Sequence, residues 1–220
     1  AGDVSPDDVR QHVERYFGDI APGPPISRIG RMDSDLRGEM RMTLEDRVQL
    51  PRLSLVWPAG PMFGPDEAPL EGLATILGDG RTSRLRKILV YEKQIARSVR
   101  VSSYGQEMAG EFHIEVTASP GHSLDESQEI VEKELEALRK EPPSELEMAR
   151  ARNRVESQHL RYMERIGGFG GRADQLNHYN VFTGDPGLIN SAIERYKAVT
   201  PDEVVRVAKS VVGDNRIWMT

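Results

Sequence analysis

The nine residues Gly110–Ala118, GEFHIEVTA, constrain the fold of this chain more than any other segment. Apolar and polar side chains alternate along it, with Phe112, Ile114 and Val116 in one set and Glu111, His113 and Glu115 in the other. Because successive side chains of a strand point to opposite faces, this pattern predicts a strand with one buried and one open face. A sheet of this kind needs a second layer that covers its apolar face.

Four further segments are predicted to be strands. They are MRMTLED (Met40–Asp46), RLSLVW (Arg52–Trp57), ARSVRVSSY (Ala96–Tyr104) and the final NRIWMT (Asn215–Thr220). The first alternates between apolar and polar side chains, and the second suits a more buried strand. Together with Gly110–Ala118 they favour one antiparallel-type sheet.

Helix starts are marked by hydroxyl residues that precede acidic ones. Such N-caps are predicted at Ser5, Ser123, Ser144 and Thr200. The last three are predicted to form full capping boxes, in which the side chain of the N-cap residue and that of a glutamate three residues later each accept from the other's backbone N–H. The glutamates are Glu126, Glu147 and Glu203.

The helical layer is predicted mainly from the second half of the chain. The helix after Ser123 carries Val131, Leu135 and Leu138 on one stripe, and the helix after Ser144 carries Met148, Ala151, Val155, His159 and Tyr162. GGFGGR (167–172) breaks this second helix, and further helices are predicted in ADQLNHYNVF (173–182), GLINSAIERYKAV (187–199) and DEVVRVAKSVV (202–212). The sequence therefore predicts an α+β fold, an antiparallel-type sheet covered by a helical layer.

Composition excludes several classes of protein. A net charge of −6 argues against a general nucleic-acid binder, which needs concentrated positive charge. The absence of cysteine excludes disulfides and thiolate metal sites, and no apolar run reaches the roughly 20 residues that span a bilayer. Both ends of the sequence have the character of interrupted elements, so the chain is predicted to be an excised piece of a longer protein, without its targeting segment.

The glycine turn GDGRTSR (Gly78–Arg84) raises the question of a phosphate site. It lacks the GKS or GKT ending of a phosphate loop, and Ser83 stands where a dinucleotide fingerprint has its third glycine. It also follows the helical run EAPLEGLATIL (67–77) rather than a strand. A helix–turn–helix connection is therefore favoured over a phosphate site.

Other constellations also have a plain interpretation beside the functional one. Glu111, His113 and Glu115 share a strand face that could hold a metal ion, but such faces are more often solvated. The histidines lack the spacing of a zinc motif, and no nucleophile elbow is present. The cluster Arg81, Arg84, Arg86 and Lys87 is interpreted as a solvated helix face, or else as a surface for an anionic peptide or partner.

The stretch LGDGRTSRLRKILVYEKQIARSV (Leu77–Val99) resembles the segment GGGMSSRLFQELREKRGLAYSV of the M16 (pitrilysin, processing-peptidase) family of zinc metallopeptidases. The two match without gaps at Gly78, Gly80, Ser83, Arg84, Leu85, Ala96, Ser98 and Val99. Residues 1–25, AGDVSPDDVRQHVERYFGDIAPGPP, are similar to the family's VGDVDPEEVLALVEKYFGDLPPGPP, and SELEMARARNRVESQHL (144–160) to its EEELERAKNQLLGQL. The resemblance covers nearly the whole chain in the same order.

The resemblance implies two homologous α+β domains in tandem. Residues 1–19 would be the last helix of the preceding domain, 20–39 a linker and 40–220 the M16-like C-terminal domain. In the family, the zinc ligands and the catalytic glutamate of the H-x-x-E-H motif lie in the first domain, and nothing here matches them. The chain is therefore expected to hold no cofactor, with zinc in the missing first domain, and to be inactive alone.

One departure from the family bears on partners. The family's second domain often supplies an Arg and a Tyr, seven residues apart, that hold substrate near the zinc ion. The aligned positions here are Val90 and Arg97. The resemblance thus implies a partner subunit that carries the Arg/Tyr pair, or else an inactive homologue resembling the core proteins of respiratory complexes.

The expected role is that of a non-catalytic second domain of an M16-type zinc metalloendopeptidase. It would contribute chamber wall and bind substrate peptide or a partner subunit, with Arg81, Arg84, Val90 and Arg97 facing the substrate or partner. The strand after the glycine turn would offer its edge to an extended peptide. No nucleic acid and no membrane segment are expected. The compartment is open, and the family analogy favours the periplasm.

Overall fold

A computed structural model describes residues 2–220 of this chain. Ala1, the first residue of the segment predicted to be the last helix of a preceding domain, lies outside the described residues. The α-helices are α1 (Pro6–Phe17), α2 (Glu67–Gly78), α3 (Arg84–Arg86), α4 (Leu124–Lys140), α5 (Glu145–Glu164), α6 (Arg172–Thr183), α7 (Ala192–Lys197) and α8 (Pro201–Ser210). Within residues 2–220, no helix combines the length and the apolar character that crossing a bilayer requires.

Five strands form one sheet. They are β1 (Met40–Met42), β2 (Arg52–Ala59), β3 (Ala96–Gly105), β4 (Gly110–Ala118) and β5 (Ile217–Met219), in the order β1-β5-β2-β4-β3. Three neighbouring pairs are antiparallel, as predicted, but β1 and β5 run parallel. The sheet is therefore mixed.

The first predicted strand is shorter in the structure than in the prediction. It ends at Met42 rather than Asp46, because its partner β5 extends only to Met219, which pairs with Met42. Beyond Met42 one further backbone hydrogen bond joins the two segments, from Leu44 N–H to the Thr220 carbonyl at 2.8 Å. The parallel direction was not visible in the alternation of MRMTLED, because alternation reports which side chains share a face and not which strand lies beside them.

The strand pattern from which the fold was predicted is confirmed. β2 and β4 pair in register from Arg52–Thr117 to Ala59–Gly110, which brings Leu53, Leu55 and Trp57 opposite Val116, Ile114 and Phe112. All six side chains are fully buried. The rings of Trp57 and Phe112 meet edge to face, with centroids 6.0 Å apart. This face of the sheet carries the hydrophobic core.

Helices α2, α4 and α8 cover that face. Val131, Leu135 and Leu138 of α4 are fully buried, as their stripe predicted, and α8 begins with the predicted capping box at Thr200 and Glu203. The box predicted at Ser123 is only half formed. The Ser123 hydroxyl accepts from the backbone of Glu126, but the Glu126 carboxylate contacts Nδ1 of His122 at 3.0 Å instead of returning to Ser123.

One buried cation fastens the segment before β1 to this layer. The Arg216 guanidinium, 9% exposed, lies 2.6 Å from Glu39 and 2.5 Å from Glu132 of α4. It also lies over the rings of Trp218 and Trp57, at 5.0 and 5.9 Å from their centroids. Burial opposes the charged form of Arg216, but the interactions of its guanidinium with the Glu132 and Glu39 carboxylates outweigh burial and raise its pKa.

The chain divides into two compact units. One unit comprises Arg31–Glu156 and Ala192–Thr220 and contains the sheet and the core described above. The other comprises the residues up to Gly30 and Ser157–Ser191. Residues 20–39 contain neither helix nor strand.

The smaller unit has almost no core of its own. Among its described residues, Ile189 is the only large apolar side chain that is buried. Helix α1 begins at the predicted N-cap Ser5 and exposes an apolar stripe that includes Val9, Val13, Tyr16 and Phe17. Exposed apolar side chains on this scale are typical of a surface that another protein segment covers.

Two other sequence predictions fall in or next to this unit. The predicted break at GGFGGR is confirmed, since α5 ends at Glu164 and α6 begins at Arg172. The prediction of one helix over GLINSAIERYKAV (187–199) is wrong. Its first part, Pro186–Asn190, is a 3₁₀ turn in which the Asp185 carboxylate accepts from Gly187 N–H at 2.8 Å, and α7 starts only after it.

Candidate functional site

The segment Leu77–Val99 connects the helical layer to the outermost strand of the sheet. Helix α2 ends at Gly78, and Gly80 turns the chain with a φ of 84° that favours glycine. The predicted helix then follows, but only Arg84–Arg86 is α-helical, and Lys87–Glu92 is a π-helix. π-Helical turns are rare and occur frequently at functional sites.

Ser83 opens this helical segment without capping it. Its hydroxyl donates to the Gly80 carbonyl at 2.9 Å, which closes the glycine turn on itself. The turn thus joins two helices, in agreement with the interpretation favoured from its sequence.

Arg84 is half-buried rather than solvated. Its Nε donates to Oε1 of Glu147 at 2.6 Å and its Nη2 to Oε2 at 3.1 Å, so the two groups form a bidentate pair. The bond to Glu147 raises the pKa of Arg84. Glu147 also accepts from the backbone N–H and the hydroxyl of Ser144 at 2.8 and 2.9 Å, which completes the predicted capping box of α5. The pair joins the glycine-turn helix to the start of α5.

Acid sensitivity of the chain is expected to depend in part on Glu147. Burial raises its pKa, but hydrogen bonds from Arg84 and Ser144 outweigh burial and lower the pKa to about 2 from the ordinary 4.5. A folded-state pKa below the unfolded value contributes stability above the unfolded pKa, and this stability is lost as the pH falls from 4.5 towards 2. Glu147→Gln should therefore lower the free energy of unfolding at pH 7 and flatten its dependence on pH within that window.

Urea unfolding at a series of pH values tests this expectation. Glu145→Gln is the matched control, because it removes an acidic side chain of the same helical turn that does not contact Arg84. Equal pH profiles for wild type and Glu147→Gln would contradict the role assigned to the pair.

Arg81 precedes the π-helical segment, and Val90 lies within it. Arg81 is exposed, and its guanidinium lies 4.9 Å from the centroid of the Tyr91 ring, a cation–π contact. Val90 is half-buried and packs against the hydrophobic core. Arg81 is thus available at the surface, and Val90 contributes mainly packing.

Arg97 occupies an irregular position in β3. The pairing of β3 with β4 shifts between Ala96 and Ser98, so Arg97 is the extra residue of a β-bulge, and its side chain is exposed. Just before the bulge, Gln94 has a φ of 56°, which is unusual for a residue other than glycine. Bulges often occur at sheet edges and beside functional sites, where they redirect a side chain.

The predicted site residues are not bonded to one another. Within residues 2–220, no hydrogen bond or ion pair joins any two of Arg81, Arg84, Val90 and Arg97. They share one connection that leads from the helical layer to β3. Among the described residues, strand β3 pairs with β4 alone, which leaves its other edge open.

The polar face of the sheet holds the residues for which a metal site was considered. His113 Nε2 bonds Glu111 at 2.7 Å and packs edge to face on Tyr104, while Glu115 lies 3.8 Å from Arg100. Over residues 2–220, no group of three potential ligands (His, Cys, Asp or Glu) could hold a metal ion. Glu111, His113 and Glu115 therefore do not provide the metal site that was considered for this strand face.

Sequence reasoning missed one feature beside the glycine turn. A crevice of about 270 Å³ lies between the end of α2, the turn 79–83 and the first half of α5. Arg150 and Arg154 line it from one face of α5. Their spacing of four residues would have placed them together on a helix, but only the packing of α5 beside the turn creates the crevice.

Comparison with known proteins identifies relatives. The family model described as the peptidase M16 inactive domain matches residues 1–155. No curated protein matches the chain significantly.

Solved structures share the fold. A protease from Helicobacter pylori superposes with a TM-score of 0.85 at 17% identity, over 100% of this chain and 54% of that one. A chain of complex III from Candida albicans gives 0.76 at 18% identity, over 99% and 52%. The periplasmic protease PqqL from Escherichia coli gives 0.67 at 17% identity, over 99% and 24%. This chain thus spans about half of the first two chains and a quarter of the third.

Proposed function

Because the chain belongs to the family of M16 peptidase inactive domains, we propose that it is the non-catalytic second domain of an M16-type zinc metalloendopeptidase. In this role it forms part of the wall of the peptide chamber and binds substrate peptide or a partner subunit. Its own residues carry no step of bond cleavage.

The observation that carries this proposal is the open outer edge of β3. An unpaired strand edge presents backbone N–H and C=O groups that an extended peptide can pair with, which gives affinity without a fixed side-chain sequence. The bulge at Arg97 and the π-helix at Lys87–Glu92 lie at the start of this edge. Arg81 and Arg97, which are exposed, and Arg84 and Val90, which are half-buried, are proposed to face the peptide or partner.

Alternate backbone methylation of a peptide tests edge pairing. The probe is a fluorescently labelled ten-residue peptide of Val and Thr with a lysine at each end, and its binding is followed by anisotropy. Only every second N–H of an added strand faces the sheet, so methyl groups on one alternate set should weaken binding at least about tenfold and those on the other set should not.

The two methylated peptides serve as each other's control, because they have the same composition and length. Equal binding of both would argue against pairing along the strand edge, and so would the absence of any binding by the parent peptide.

Zinc and the catalytic glutamate are proposed to belong to the preceding domain of the whole protein. A zinc ion there would activate water and polarise the peptide carbonyl. Since the described residues of this chain do not form a metal site, the chain alone is predicted to be inactive. The proposed domain organisation is 1–19 as the last helix of that preceding domain, 20–39 as a linker and 40–220 as the C-terminal domain.

Exposed apolar surface supports a partnership with another M16 domain. The stripe of α1 is exposed at Val13, Tyr16 and Phe17 by 51%, 66% and 61%. Apolar surface on this scale is expected to be covered in the complete protein. A preceding M16 domain of the same chain is the proposed cover. Because Val90 and Arg97 stand where the family has its Arg and Tyr, a partner subunit is proposed to supply that pair.

A catalytically inactive assembly subunit is the second candidate. It is favoured by the absence of the Arg/Tyr pair and by the likeness to a chain of complex III from Candida albicans, which reaches a TM-score of 0.76. The coding sequence before Ala1 separates the two. An H-x-x-E-H motif there, with chelator-sensitive peptidase activity of the complete product, supports the peptidase, and its absence supports the assembly subunit. A periplasmic location, known for the Escherichia coli relative, is proposed with the peptidase.

A further inference from the structure

The crevice beside the glycine turn contains an excess of positive charge. Two of its carboxylates are already neutralised, Glu147 by Arg84 and Asp79 by an ion pair with Arg154. Arg150 lines the same crevice one turn before Arg154, is exposed, and forms no ion pair within residues 2–220. The guanidinium of Arg150 therefore has no carboxylate partner among the described residues.

Uncharged donors complete the lining. The Thr82 hydroxyl borders the crevice and makes no hydrogen bond with other described residues. Small residues keep the space open, since Gly80 and Ala151 lie on its walls and a Cβ added at Gly80 would meet nothing within 4 Å. A guanidinium and a hydroxyl around a small open space are the groups that bind oxyanions in proteins.

A partly buried carboxyl group lies on the helix that ends at the crevice. Glu71 lies two turns before Asp79 on the same helix. Burial raises its pKa, and the charges of Asp79 and Glu67 raise it further.

We infer that this crevice, formed by the turn 79–83 and the first half of α5, is a binding site for a small oxyanion, with Arg150 as its principal ligand. Arg154 and Thr82 supply further donors. The volume of about 270 Å³ lies just below the roughly 300–1,000 Å³ of typical ligand pockets, so the site admits a carboxylate or phosphate group rather than a large cofactor. The oxyanion is either a free small anion or the terminal carboxylate of a peptide.

Titration of the ¹⁵N-labelled chain with inorganic phosphate at constant ionic strength tests this site. Saturable shifts of amide signals are expected, confined to residues 75–84 and 147–154. Arg150→Gln should weaken binding at least about tenfold, because hydrogen bonds to a charged group contribute that much. Arg161→Gln should bind phosphate as wild type does, since Arg161 is exposed on the same helix but does not line the crevice.

The variant spectra also report folding, so a loss of binding with unchanged dispersion is attributable to the lost guanidinium. Shifts that fail to saturate, or that are equal in wild type and Arg150→Gln, would overturn the assignment. Two forms of one short peptide distinguish the sources of the oxyanion. Displacement of phosphate by the free carboxylate form but not by the amidated form identifies a peptide terminus, and displacement by neither identifies a free small anion.

Discussion

Replacing Arg216 with methionine should lower the free energy of unfolding by about 3 kcal/mol, at the lower end of the roughly 3–5 kcal/mol seen when one partner of a buried ion pair is removed. Methionine keeps most of the apolar volume beside the two tryptophan rings but leaves Glu132 without its cation and Glu39 with only its ion pair to Arg41. Those carboxylates are 25% and 34% exposed, so water can partly solvate them, which places the loss at the lower end.

The control for this prediction is Arg206→Met. Arg206 forms an ion pair with Asp66 at 2.7 Å, but its side chain is 47% exposed, and exposed pairs contribute about 0–1 kcal/mol. Urea unfolding of the two variants at pH 7 separates the cases. A loss below about 1 kcal/mol in Arg216→Met would show that the packing of Arg216 on the rings, rather than its charge, holds the segment before β1 in place.

Much of the fold could be predicted from local patterns. The alternation in Gly110–Ala118 gave the buried face of β4, and the stripe Val131, Leu135 and Leu138 gave the buried face of α4, because burial of one face imposes a period on the sequence. The parallel pairing of β1 with β5 leaves no such period, since it joins residues about 175 positions apart along the chain. Capping boxes were predicted at Ser123, Ser144 and Thr200. They are complete at Ser144 and Thr200, but the one at Ser123 is only half formed because His122 competes for Glu126.

The candidate site was less predictable than the fold. Resemblance indicated the connection from Gly78 to Arg97, but no pattern in KILVYE distinguishes a π-helix from an α-helix. The bidentate pair of Arg84 and Glu147 spans 63 residues and depends on the packing of α5. Arg216 was likewise absent from the predicted set, because an isolated arginine before a strand looks like a solvated end until its two carboxylates are placed around it.

Gly78 and Gly80 both match glycines of the family segment, but the structure requires glycine at the two positions for different physical reasons. At Gly80 the requirement is conformational, a φ of 84° with nothing within 4 Å of an added Cβ. At Gly78 the requirement is spatial. A Cβ there would lie 2.6 Å from Cβ of Val101 and 2.8 Å from its backbone nitrogen, closer than real atoms approach. Helix α2 can therefore pack on β3 only through a glycine.

Gly78→Ala should consequently destabilise the chain by about 2 kcal/mol, although Gly→Ala in a helix ordinarily stabilises by about 1 kcal/mol. Overpacking costs up to about 3 kcal/mol, and the clash here includes the backbone of β3, which cannot rotate away as a side chain can. Gly80→Ala should cost about 1 kcal/mol, from its left-handed conformation alone.

The displacement in Gly78→Ala should also disturb the open edge of β3. Amide hydrogen exchange in β3 should therefore accelerate in this variant and stay near wild type in Gly80→Ala. Equal unfolding free energies for the two variants would contradict the spatial role of Gly78, whereas a selective loss of β3 protection would tie the glycine turn to the geometry of the open edge of β3.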